Sequence, residues 1–561
     1  MKPEALQSNP TAAFVEQFIN QTSQSIFLTG KAGTGKTTLL RKIMASTHKN
    51  AVIVAPTGIA ALNAGGVTIH SFFQLPFAGF IPEFGAQPAF SESVKFETKQ
   101  TLLRHFTMNK TRLKMIRNID LLIIDEVSML RADLLDAIDW TLRNIRRAHE
   151  PFGNVQVLFI GDLLQLPPVV KQEEWQILRN HYQGIFFFHA KVLQETQPLY
   201  IELSKIYRQQ DQDFIQLLNQ LRNNQMSSED LQILNQYVRP DFDANKEEGY
   251  ITLSTHNAKA DQINAIALEA LPEKLWSYAA EITGDYPKHL YPLEPTLELK
   301  LGAQVMFIKN DLSLEKNYFN GKMGKIKALS SDEILVEFPE EKKTINVEKF
   351  EWSNIRYELN AATGEVEEKT IGTFVHYPLK LAWAITVHKS QGLTFEKAVI
   401  DVGNAFAPGQ VYVALSRCTT FSGLVLKTQI TRRAIRTNAR VLAFAKEETQ
   451  ASLIRKELNT GKADIHYQKA RESIKELDFQ SVYEHFMVAT TYRNDLQTPL
   501  FKRYFLIVAK KLARYQQKYL NIKLDLARKE KEHLKLEQKI EALKETNKEK
   551  NKSLREQRKT I

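Results

Sequence analysis

The residues best suited to chemistry form a glycine-rich loop near the start of the chain. Residues 30–37 read GKAGTGKT, a match to GxxxxGK[ST], between an apolar run at 25–29 and a helical pattern. Such a loop wraps backbone N–H groups around phosphates at a helix N-terminus, where the helix adds positive potential. Lys36 is expected to reach the β/γ-phosphates and Thr37 to place its hydroxyl on Mg²⁺. The predicted nucleotide contacts are Gly30, Gly33, Thr34, Gly35, Lys36, Thr37, Thr38 and Asp125.

An acidic pair fits the same chemistry. The sequence LLIIDEVS puts Asp125 at the end of an apolar strand and Glu126 directly after it. A magnesium-held phosphate needs a carboxylate at the end of a neighbouring strand, so Asp125 is predicted to serve Mg²⁺ together with Thr37. Glu126 is predicted to orient and activate the attacking water. The loop and the acidic pair together predict an ATPase or GTPase.

Five further motifs follow in order: APTGIAALNAGGVTIHSFF (55–73), GDLLQLPPV (161–169), LSKIYRQ (203–209), ITVHKSQGLTF (385–395) and GQVYVALSRC (409–418). Together with the loop and DEVSM they resemble superfamily 1 helicases of the PIF/RecD-like group, and DEVSM and TIHSFF are most similar to the PIF type. The resemblance covers residues 25–430. It implies an ATP-dependent DNA helicase that moves 5′ to 3′ on single-stranded DNA and unwinds duplexes at junctions, in replication, recombination or repair.

Three polar side chains in these motifs are predicted to act on the phosphates. Gln165 follows a buried strand, where a neutral amide can sense the γ-phosphate without adding charge. Arg208 and Arg417 are assigned to the second α/β unit, from which they reach ATP only across a cleft between domains. An arginine held in that way stabilises transition-state charge only when the domains close, which couples hydrolysis to movement.

The resemblance also implies a set of contacts to a DNA strand. Hydroxyls and backbone amides suit phosphates, and aromatic or imidazole rings suit stacking on bases, without reading their sequence. The implied contacts are Pro56, Thr57, His70, Ser71 and Phe72 in the first unit, and His388, Lys389, Ser390 and Gln391 in the second.

Two places depart from the family pattern or extend it. Ala13 stands where the family has an adenine-reading glutamine, and Gln7 and Gln17 are close to it but not at the expected spacing. Residues 76–116 resemble by position an insertion that forms a strand-separating wedge. The aromatic residues Phe77, Phe80, Phe84 and Phe90 in this stretch fit either a wedge or ordinary packing.

The elements that position these residues predict an α/β fold. Apolar runs separated by helical patterns are typical of parallel sheets covered on both faces. We expect two tandem RecA-like P-loop motor domains, at 1–198 and at 199–290 plus 377–445. A small β-barrel is predicted as an insertion at 291–376, where turn signals separate β-rich runs, and an α-helical extension at 446–561.

The helical extension has its own charge and periodicity. The chain carries a net charge of +11, and residues 501–561 alone contain 19 Lys and Arg against 8 Asp and Glu. The positions Tyr519, Leu526, His533, Ile540, Asn547 and Leu554 form one seam of a heptad reading, with two polar residues among the six. A solvated helix that grips nucleic-acid phosphates and a helix that binds a protein partner are both compatible with this pattern.

Composition limits the remaining classes. The chain has 561 residues, 43% of them apolar and 25% charged, as in globular multidomain proteins. Cys418 is the single cysteine, MKPEALQSNP lacks the apolar core of a signal peptide, and no apolar run would span a bilayer. These features predict a soluble, intracellular protein in a reducing compartment. The family resemblance then implies a monomeric motor in the cytoplasm, at the nucleoid. An ATPase that remodels nucleic acid without processive unwinding, and a nucleotide-controlled scaffold, are the alternative functions.

Overall fold

The computed structural model describes residues 10–84, 95–105, 108, 110–209, 211–244, 247, 249–309, 311, 317–318, 320–339, 341–359, 366–403, 405, 407–446, 449 and 451–557. The chain divides into two compact units, Met1–Gly461 and Lys462–Ile561. Among the described residues, no helix combines the length and the apolar character needed to cross a membrane.

The first 200 residues alternate strands and helices. The elements are α1 (Pro10–Gln21), β1 (Ile26–Gly30), α2 (Lys36–Ser46), β2 (Ala51–Ala55), α3 (Gly58–Ala64), β3 (Val67–Thr68), α4 (Ile69–Phe73), β4 (Gly79–Ile81), β5 (Phe96–Thr98), α5 (Lys99–Leu102), α6 (Lys110–Asn118), β6 (Leu121–Ile124), α7 (Ala132–Arg146), β7 (Gln156–Ile160), α8 (Gln172–Leu178), α9 (Val192–Glu195) and β8 (Leu199–Leu203). Short 3-10 turns lie at Leu103–His105, Val127–Met129, Pro151–Asn154 and Phe187–His189.

Six of these strands form one parallel sheet in the order β3-β2-β6-β7-β1-β8. Strands β1, β2, β6 and β7 are buried at every position because helices cover both faces of the sheet. The predicted boundary at 198/199 is therefore wrong. Strand β8 pairs along β1 from Ile26↔Leu199 to Gly30↔Leu203, so it is the edge strand of the first sheet and not the first strand of the second unit.

A second parallel sheet holds the later motifs. Its elements are α10 (Gln212–Arg222), α11 (Ser228–Asn235), β9 (Ile251–Ser254) and α12 (Asn257–Glu269), followed after an insertion by β20 (Ala384–Thr386), β21 (Ala398–Asp401), α13 (Gln410–Leu415), β22 (Leu424–Leu426) and α14 (Ala439–Ala445). The strand order is β20-β9-β21-β22. Its core, with Phe214, Ile400 and Leu415 among its members, is separate from the two cores of the first sheet.

The insertion is antiparallel and β-rich, as predicted. Its strands are β10 (Trp276–Ala279), β11 (Glu281–Gly284), β12 (Thr296–Leu299), β13 (Gln304–Phe307), β14 (Met323–Leu329), β15 (Ile334–Phe338), β16 (Lys343–Asn346), β17 (Phe350–Leu359), β18 (Val366–His376) and β19 (Leu379–Leu381), with a 3-10 turn at Lys288–Leu290. They form an open five-stranded sheet β16-β15-β14-β13-β19, a three-stranded sheet β11-β18-β17 and the pair β10-β12. The hydrogen-bonded order of the described strands does not close into a barrel, since β17 and β18 pair with β11 instead of with the larger sheet. The strands also extend beyond the predicted range 291–376 at both ends.

The C-terminal part is helical, as predicted, with α15 (Ala451–Glu476), α16 (Phe479–Tyr492) and α17 (Pro499–Gln557). Within the second unit, Phe486 packs edge-on against Phe501 at 5.6 Å between ring centroids, and the Tyr467 hydroxyl donates to the Arg493 carbonyl. From Ala513 to Arg555 every residue of α17 is exposed, and the half-buried Tyr504, Val508 and Leu512 lie nearer the start of the helix. This helix therefore offers a long uncovered surface.

Candidate functional site

The phosphate loop connects β1 to α2 at the carboxyl edge of the first sheet. Gly33 and Gly35 have φ values of 82° and 87°, the left-handed region that glycine adopts without strain. A Cβ atom on Gly33 would lie 2.4 Å from the Cβ atom of Arg208, so glycine is also required for space. The Lys36 ammonium donates to the carbonyl oxygens of Gly30 at 2.6 Å and Lys31 at 3.0 Å, which holds it over the loop. Burial lowers the pKa of Lys36.

The acidic pair lies at the end of β6, on the same edge of the sheet. The Glu126 N–H donates to Asp125 Oδ1 at 2.9 Å, and Glu126 itself has a left-handed φ of 52° that turns the chain sharply after the strand. Desolvation, then repulsion by the Glu126 carboxylate, raises the pKa of Asp125 to about 7. Burial likewise raises the pKa of Glu126. A cation bound beside these two carboxylates would stabilise their ionised forms and lower both pKa values.

Gln165 and Gln391 connect the acidic pair to the second sheet. Gln391 Nε2 donates to Glu126 Oε2 at 2.8 Å and to Gln165 Oε1 at 3.5 Å. Gln165 Nε2 in turn donates to Asp162 Oδ2 at 3.4 Å. Because Gln391 follows β20 of the second sheet, one side chain from that sheet already touches the predicted water-activating carboxylate.

The two predicted arginines reach the site from different places. Arg417 follows α13 of the second sheet and is only 2% exposed, with Nε donating to the Val413 carbonyl at 2.9 Å and Nη2 to Ser416 Oγ at 3.1 Å. Arg208 follows β8, so its assignment to the second unit is wrong: it lies directly over the phosphate loop, where the Tyr207 N–H donates to the Gly33 carbonyl at 2.9 Å. Its Nη1 donates to the Ser416 carbonyl at 3.3 Å across the boundary between the sheets.

These cations are poorly compensated. Burial, then repulsion by Arg417, lowers the pKa of Arg208 to about 9, and burial lowers the pKa of Arg417. Arg208, Arg417 and Lys36 line one cavity of about 660 Å³ together with Asp125, Glu126 and Gln165. A lowered pKa on buried cations means that the site favours an added anion.

Sequence reasoning missed a buried network below the phosphate loop. The Tyr412 hydroxyl of α13 accepts from the Ala32 N–H at 3.2 Å and donates to Asp162 Oδ2 at 3.3 Å. Arg222 Nη2 lies 3.2 Å from Asp162 Oδ1 and 3.3 Å from Glu202 Oε1. Although burial alone would raise it, the pKa of Asp162 is lowered by the charges of Arg222 and Lys36. Asp162, Arg222 and Tyr412 lie far apart in the sequence, so only the fold brings them together.

The predicted DNA contacts of the first unit separate into accessible and buried residues. Phe72 is 2% exposed and packs edge-on against Phe73 in the core, so its ring is not accessible for stacking here and its contact with DNA stays a prediction. His70 stacks on Phe77 at 4.4 Å between ring centroids, and Ser71 is exposed. Thr57 caps α3 by accepting from the Ala60 N–H, next to the half-buried Pro56.

The predicted DNA contacts of the second unit lie at the nucleotide cavity. Ser390 is fully buried and its hydroxyl donates to the Val387 carbonyl at 2.8 Å, so it is not accessible to a strand here and its contact with DNA stays a prediction. His388, Lys389 and Gln391 all line the cavity that also holds the phosphate loop. Their placement reflects the turn after β20, which points toward the acidic pair.

Magnesium fits the oxygen atoms that the cavity offers. Thr37 and Asp125 both line it, and hydroxyl and carboxylate oxygens are the ligands that Mg²⁺ prefers, with phosphates and water completing the shell. Within the described ranges, no group of three or more His, Cys, Asp or Glu residues is arranged to hold another metal.

Comparison with known proteins identifies relatives that cover most of the chain. A model of the PIF1-like helicase family matches residues 5–82 and 86–232. Human ATP-dependent DNA helicase PIF1 is 32% identical over 429 residues, which are 75% of this chain and 61% of the human protein. Campylobacter jejuni ATP-dependent DNA helicase Pif1 is 31% identical over 70% of this chain and 87% of its own length. The chain belongs to the PIF1-like helicase family.

Solved structures of PIF1-like helicases extend the comparison to the fold. A Bacteroides Pif1 in complex with ADP-AlF4 is 39% identical and superposes with a TM-score of 0.70, covering 78% of this chain and 96% of that one. The same helicase bound to ssDNA covers the same shares at 40% identity, with a TM-score of 0.53. These neighbours support the two RecA-like motor domains and a mixed α/β fold with a helical C-terminal region.

The chain spans 61% of the length of human PIF1, so the match does not extend to the whole relative.

Two family expectations, an adenine-reading glutamine and a strand-separating wedge, concern residues away from the nucleotide cavity. Ala13 and Gln17 are exposed on α1, and neither lines the nucleotide cavity, while Gln7 lies outside the described residues. In the predicted wedge, Phe80 is a buried core residue and Phe77 and Phe84 are exposed, while Phe90 lies outside the described residues.

Proposed function

We propose that this chain is an ATP-dependent DNA helicase that moves 5′ to 3′ along single-stranded DNA and unwinds duplexes at junctions. The observation that carries the proposal is the cavity in which Lys36 and Arg208 of the first sheet face Arg417 of the second. Three positively charged side chains, two half-buried and one buried, line a site of nucleotide size, and one of them belongs to the other half of the motor. An ATPase with that division of labour hydrolyses fastest when its halves close.

The proposed roles follow from the contacts. Lys36 and the loop amides hold the β/γ-phosphates, and Glu126 orients the attacking water while Gln391 fixes its carboxylate. Gln165 senses the γ-phosphate, and Arg417 and Arg208 stabilise charge that develops in the transition state. Mg²⁺, held by Thr37 and Asp125, would neutralise charge on the β/γ-phosphates when bound.

The proposed DNA track uses the accessible members of the predicted set: Pro56, Thr57, His70 and Ser71 in the first half, and His388 and Lys389 in the second. In support, Bacteroides Pif1 has been crystallised with ssDNA, and our structure superposes less well on that form than on the ADP-AlF4 form. We infer that DNA binding changes the angle between the halves and moves Lys389 and His388 from the cavity toward the strand.

We also propose the domain assignment. The motor halves comprise residues 1–209 and 211–275 plus 382–445, which revises the predicted boundary to keep β8 with the first half. The β-rich insertion within the second half forms a separate module, and the exposed Phe77 on the 76–84 segment contributes to a wedge. A helicase of this kind would work at the nucleoid, in replication, recombination or repair.

The test is strand displacement on matched duplexes with a single-stranded tail at either end. We expect DNA-stimulated ATP turnover, unwinding with a 5′ tail and none with a 3′ tail. Turnover with DNA stimulation but without displacement would support a remodelling ATPase, and turnover without DNA stimulation would support a nucleotide-controlled scaffold.

A further inference from the structure

The helix α17 has an apolar seam that the motor does not explain. Counting alternate steps of three and four residues from Tyr515 gives Tyr515, Tyr519, Ile522, Leu526, Lys529, His533, Leu536, Ile540, Leu543 and Asn547. Every one of these side chains is exposed in the second unit. Seven are apolar or aromatic, and Ile522, Leu526 and Leu536 are each about 60% exposed. A row with this spacing is the contact surface of a coiled coil.

The seam does not match the requirements of DNA. Phosphates are bound by Lys and Arg, and a row of Leu and Ile side chains adds nothing to that contact. Leu526, Ile540 and Leu543 lie on the same seam, whereas Arg514, Arg528 and Lys535 lie outside it and stay accessible when it is covered. The seam therefore indicates contact with a protein, independently of the ligand that the basic residues of the helix bind.

The residues that flank the seam decide between partner orientations. In a parallel pair of identical helices, each flanking residue on one side faces the residue five positions later in the partner. That places Lys518 opposite Lys523, Asp525 opposite Glu530, Glu532 opposite Glu537 and Lys539 opposite Lys544. All four pairs carry like charges and each occurs twice, so a parallel dimer in register is disfavoured.

An antiparallel pair centred on Lys531 reverses the outcome. Lys523 then faces Glu537 and Asp525 faces Lys539, each twice, and only Glu530 and Glu532 meet their own copies. Those two carboxylates flank the central layer of Lys529 and His533, where the Lys529 ammonium offsets their charge.

The seam itself matches in the same register. Leu526 packs on Leu536, Ile522 on Ile540 and Tyr519 on Leu543, and Asn547 faces the Tyr515 hydroxyl. The polar Lys529 and His533 layers coincide at the centre, where polar residues fix register at a cost in stability. A register shift by one heptad brings like charges together along one flank, Lys523 with Lys544 in one direction and Asp525 with Glu532 in the other.

We propose that Tyr515–Asn547 of α17 binds the same segment of a second copy as an antiparallel coiled coil. The paired segment is about 50 Å long, at about 1.5 Å per residue. It starts after the part of α17 that packs near Phe501, and every motor motif precedes it, so each chain keeps a complete motor. The predicted monomeric motor thus applies to the catalytic part of each chain, and the whole chain is a dimer. This inference does not depend on the proposed helicase activity.

The first experiment measures the mass of the full chain by sedimentation equilibrium at roughly 10 µM. We expect a dimer for the wild type and a monomer for the seam variant Leu526→Glu/Leu536→Glu, with the dissociation constant raised at least about a hundredfold. The matched control is Leu524→Glu/Leu534→Glu, which changes two equally spaced and equally exposed leucines outside the seam and should remain a dimer. A monomeric wild type, or equal dissociation of both variants, would overturn the proposal.

The second experiment tests orientation. Native Cys418 is buried and its thiol pKa is raised to about 12, so it stays unreactive toward oxidation. An equimolar mixture of Ile522→Cys and Ile540→Cys chains should give disulfide-linked heterodimers on mild oxidation, because these positions face each other only in the antiparallel register. Disulfide homodimers of either variant alone would show a parallel pair and overturn the orientation. If the full chain is instead a monomer, and truncation at Lys510 weakens the salt dependence of its DNA affinity, the helix binds DNA and the proposal is overturned.

Discussion

The two halves of the motor contribute different kinds of groups to one cavity. The first sheet supplies the phosphate loop, the acidic pair and Arg208 from the ends of β1, β6 and β8, already beside one another on one edge. The second sheet supplies Arg417, Gln391 and Tyr412. Gln391 and Tyr412 are held by hydrogen bonds to the first half, and Arg417 by a hydrogen bond to the Val413 carbonyl of its own half. The first half therefore holds a phosphate-binding site whose groups are already adjacent. The second half adds its groups only when it is in contact with the first. Substitutions on the two sides should fail in different ways.

The largest effect is expected on the first side. Lys36→Ala removes the ammonium that faces the β/γ-phosphates, and the loss of such a preorganised group costs about 3–4 kcal/mol, or roughly a hundred- to a thousandfold in turnover. The measurement is DNA-stimulated ATP hydrolysis by protein free of contaminating ATPase. Lys42→Ala, on the same helix but paired with Glu16 at 2.6 Å, is the control and should stay near wild type. Turnover within about threefold of wild type in Lys36→Ala would contradict the phosphate-loop assignment.

On the second side, Arg417→Lys should separate binding from catalysis. It keeps a positive charge but loses the planar fork that holds the Val413 carbonyl and Ser416 hydroxyl, so turnover should fall about a hundredfold. Affinity for a nonhydrolysable ATP analogue should change little, since the group acts on transition-state charge. An affinity loss as large as the turnover loss would show that Arg417 holds the ground state or the fold.

Tyr412→Phe tests the boundary itself. It removes one hydroxyl that satisfies both the Ala32 N–H and Asp162, which leaves buried polar groups with fewer partners and costs about 1–3 kcal/mol. We expect weaker nucleotide binding, by about tenfold, together with a lower Tm. Tyr237→Phe, whose ring stacks on Phe421 at 5.1 Å in the same half, is the control. An unchanged nucleotide affinity in Tyr412→Phe would mean that the halves dock without this bridge.

The smallest effect is expected in the insertion, away from both sides. Burial lowers the pKa of His376 to about 4. Between that pH and the ordinary His pKa of 6.5, the folded state therefore binds fewer protons at this residue than the unfolded state does. Stability contributed by neutral His376 is present above pH 6.5 and lost as the pH falls toward 4, by at most about 3 kcal/mol. Wild type should therefore lose Tm more steeply than His376→Phe between pH 7 and 5. Parallel curves for the two proteins would show that another group dominates the acid sensitivity.

The sequence predicted most of the first half because its chemistry is local. Lys36, Thr37 and Asp125 lie in short motifs at strand ends, and a strand followed by a glycine loop and a helix leaves little freedom in their placement. The placement of Arg208 failed for a different reason. A strand at the edge of one sheet and a strand at the start of the next have the same apolar pattern, so the sequence of β8 did not indicate which of the two sheets it joins.

The burial of individual side chains was also beyond the sequence. Phe72 and Ser390 lie in motifs that resemble DNA-contacting ones, yet a core position within a short helix and a buried turn differ from exposed positions only through tertiary packing. The network of Asp162, Arg222 and Tyr412 depends on residues up to 250 positions apart in sequence, as in the contact from Tyr412 to Asp162. No periodicity or motif spacing connects such positions.

The position of β8 has a consequence for how such proteins exchange parts during evolution. The strand completes the first sheet, while the apolar face of α10, which follows it, lies in the core of the second, and Arg222 at the end of α10 returns to Asp162 of the first. The stretch from Leu199 to Arg222 thus makes structural contacts in both halves. A recombination event that joined one half to a foreign partner at any point in this stretch would break either the sheet pairing or the buried ion pair. Homologous helicases should accordingly inherit both halves as one block, and gain new modules at the insertion or after Gly461.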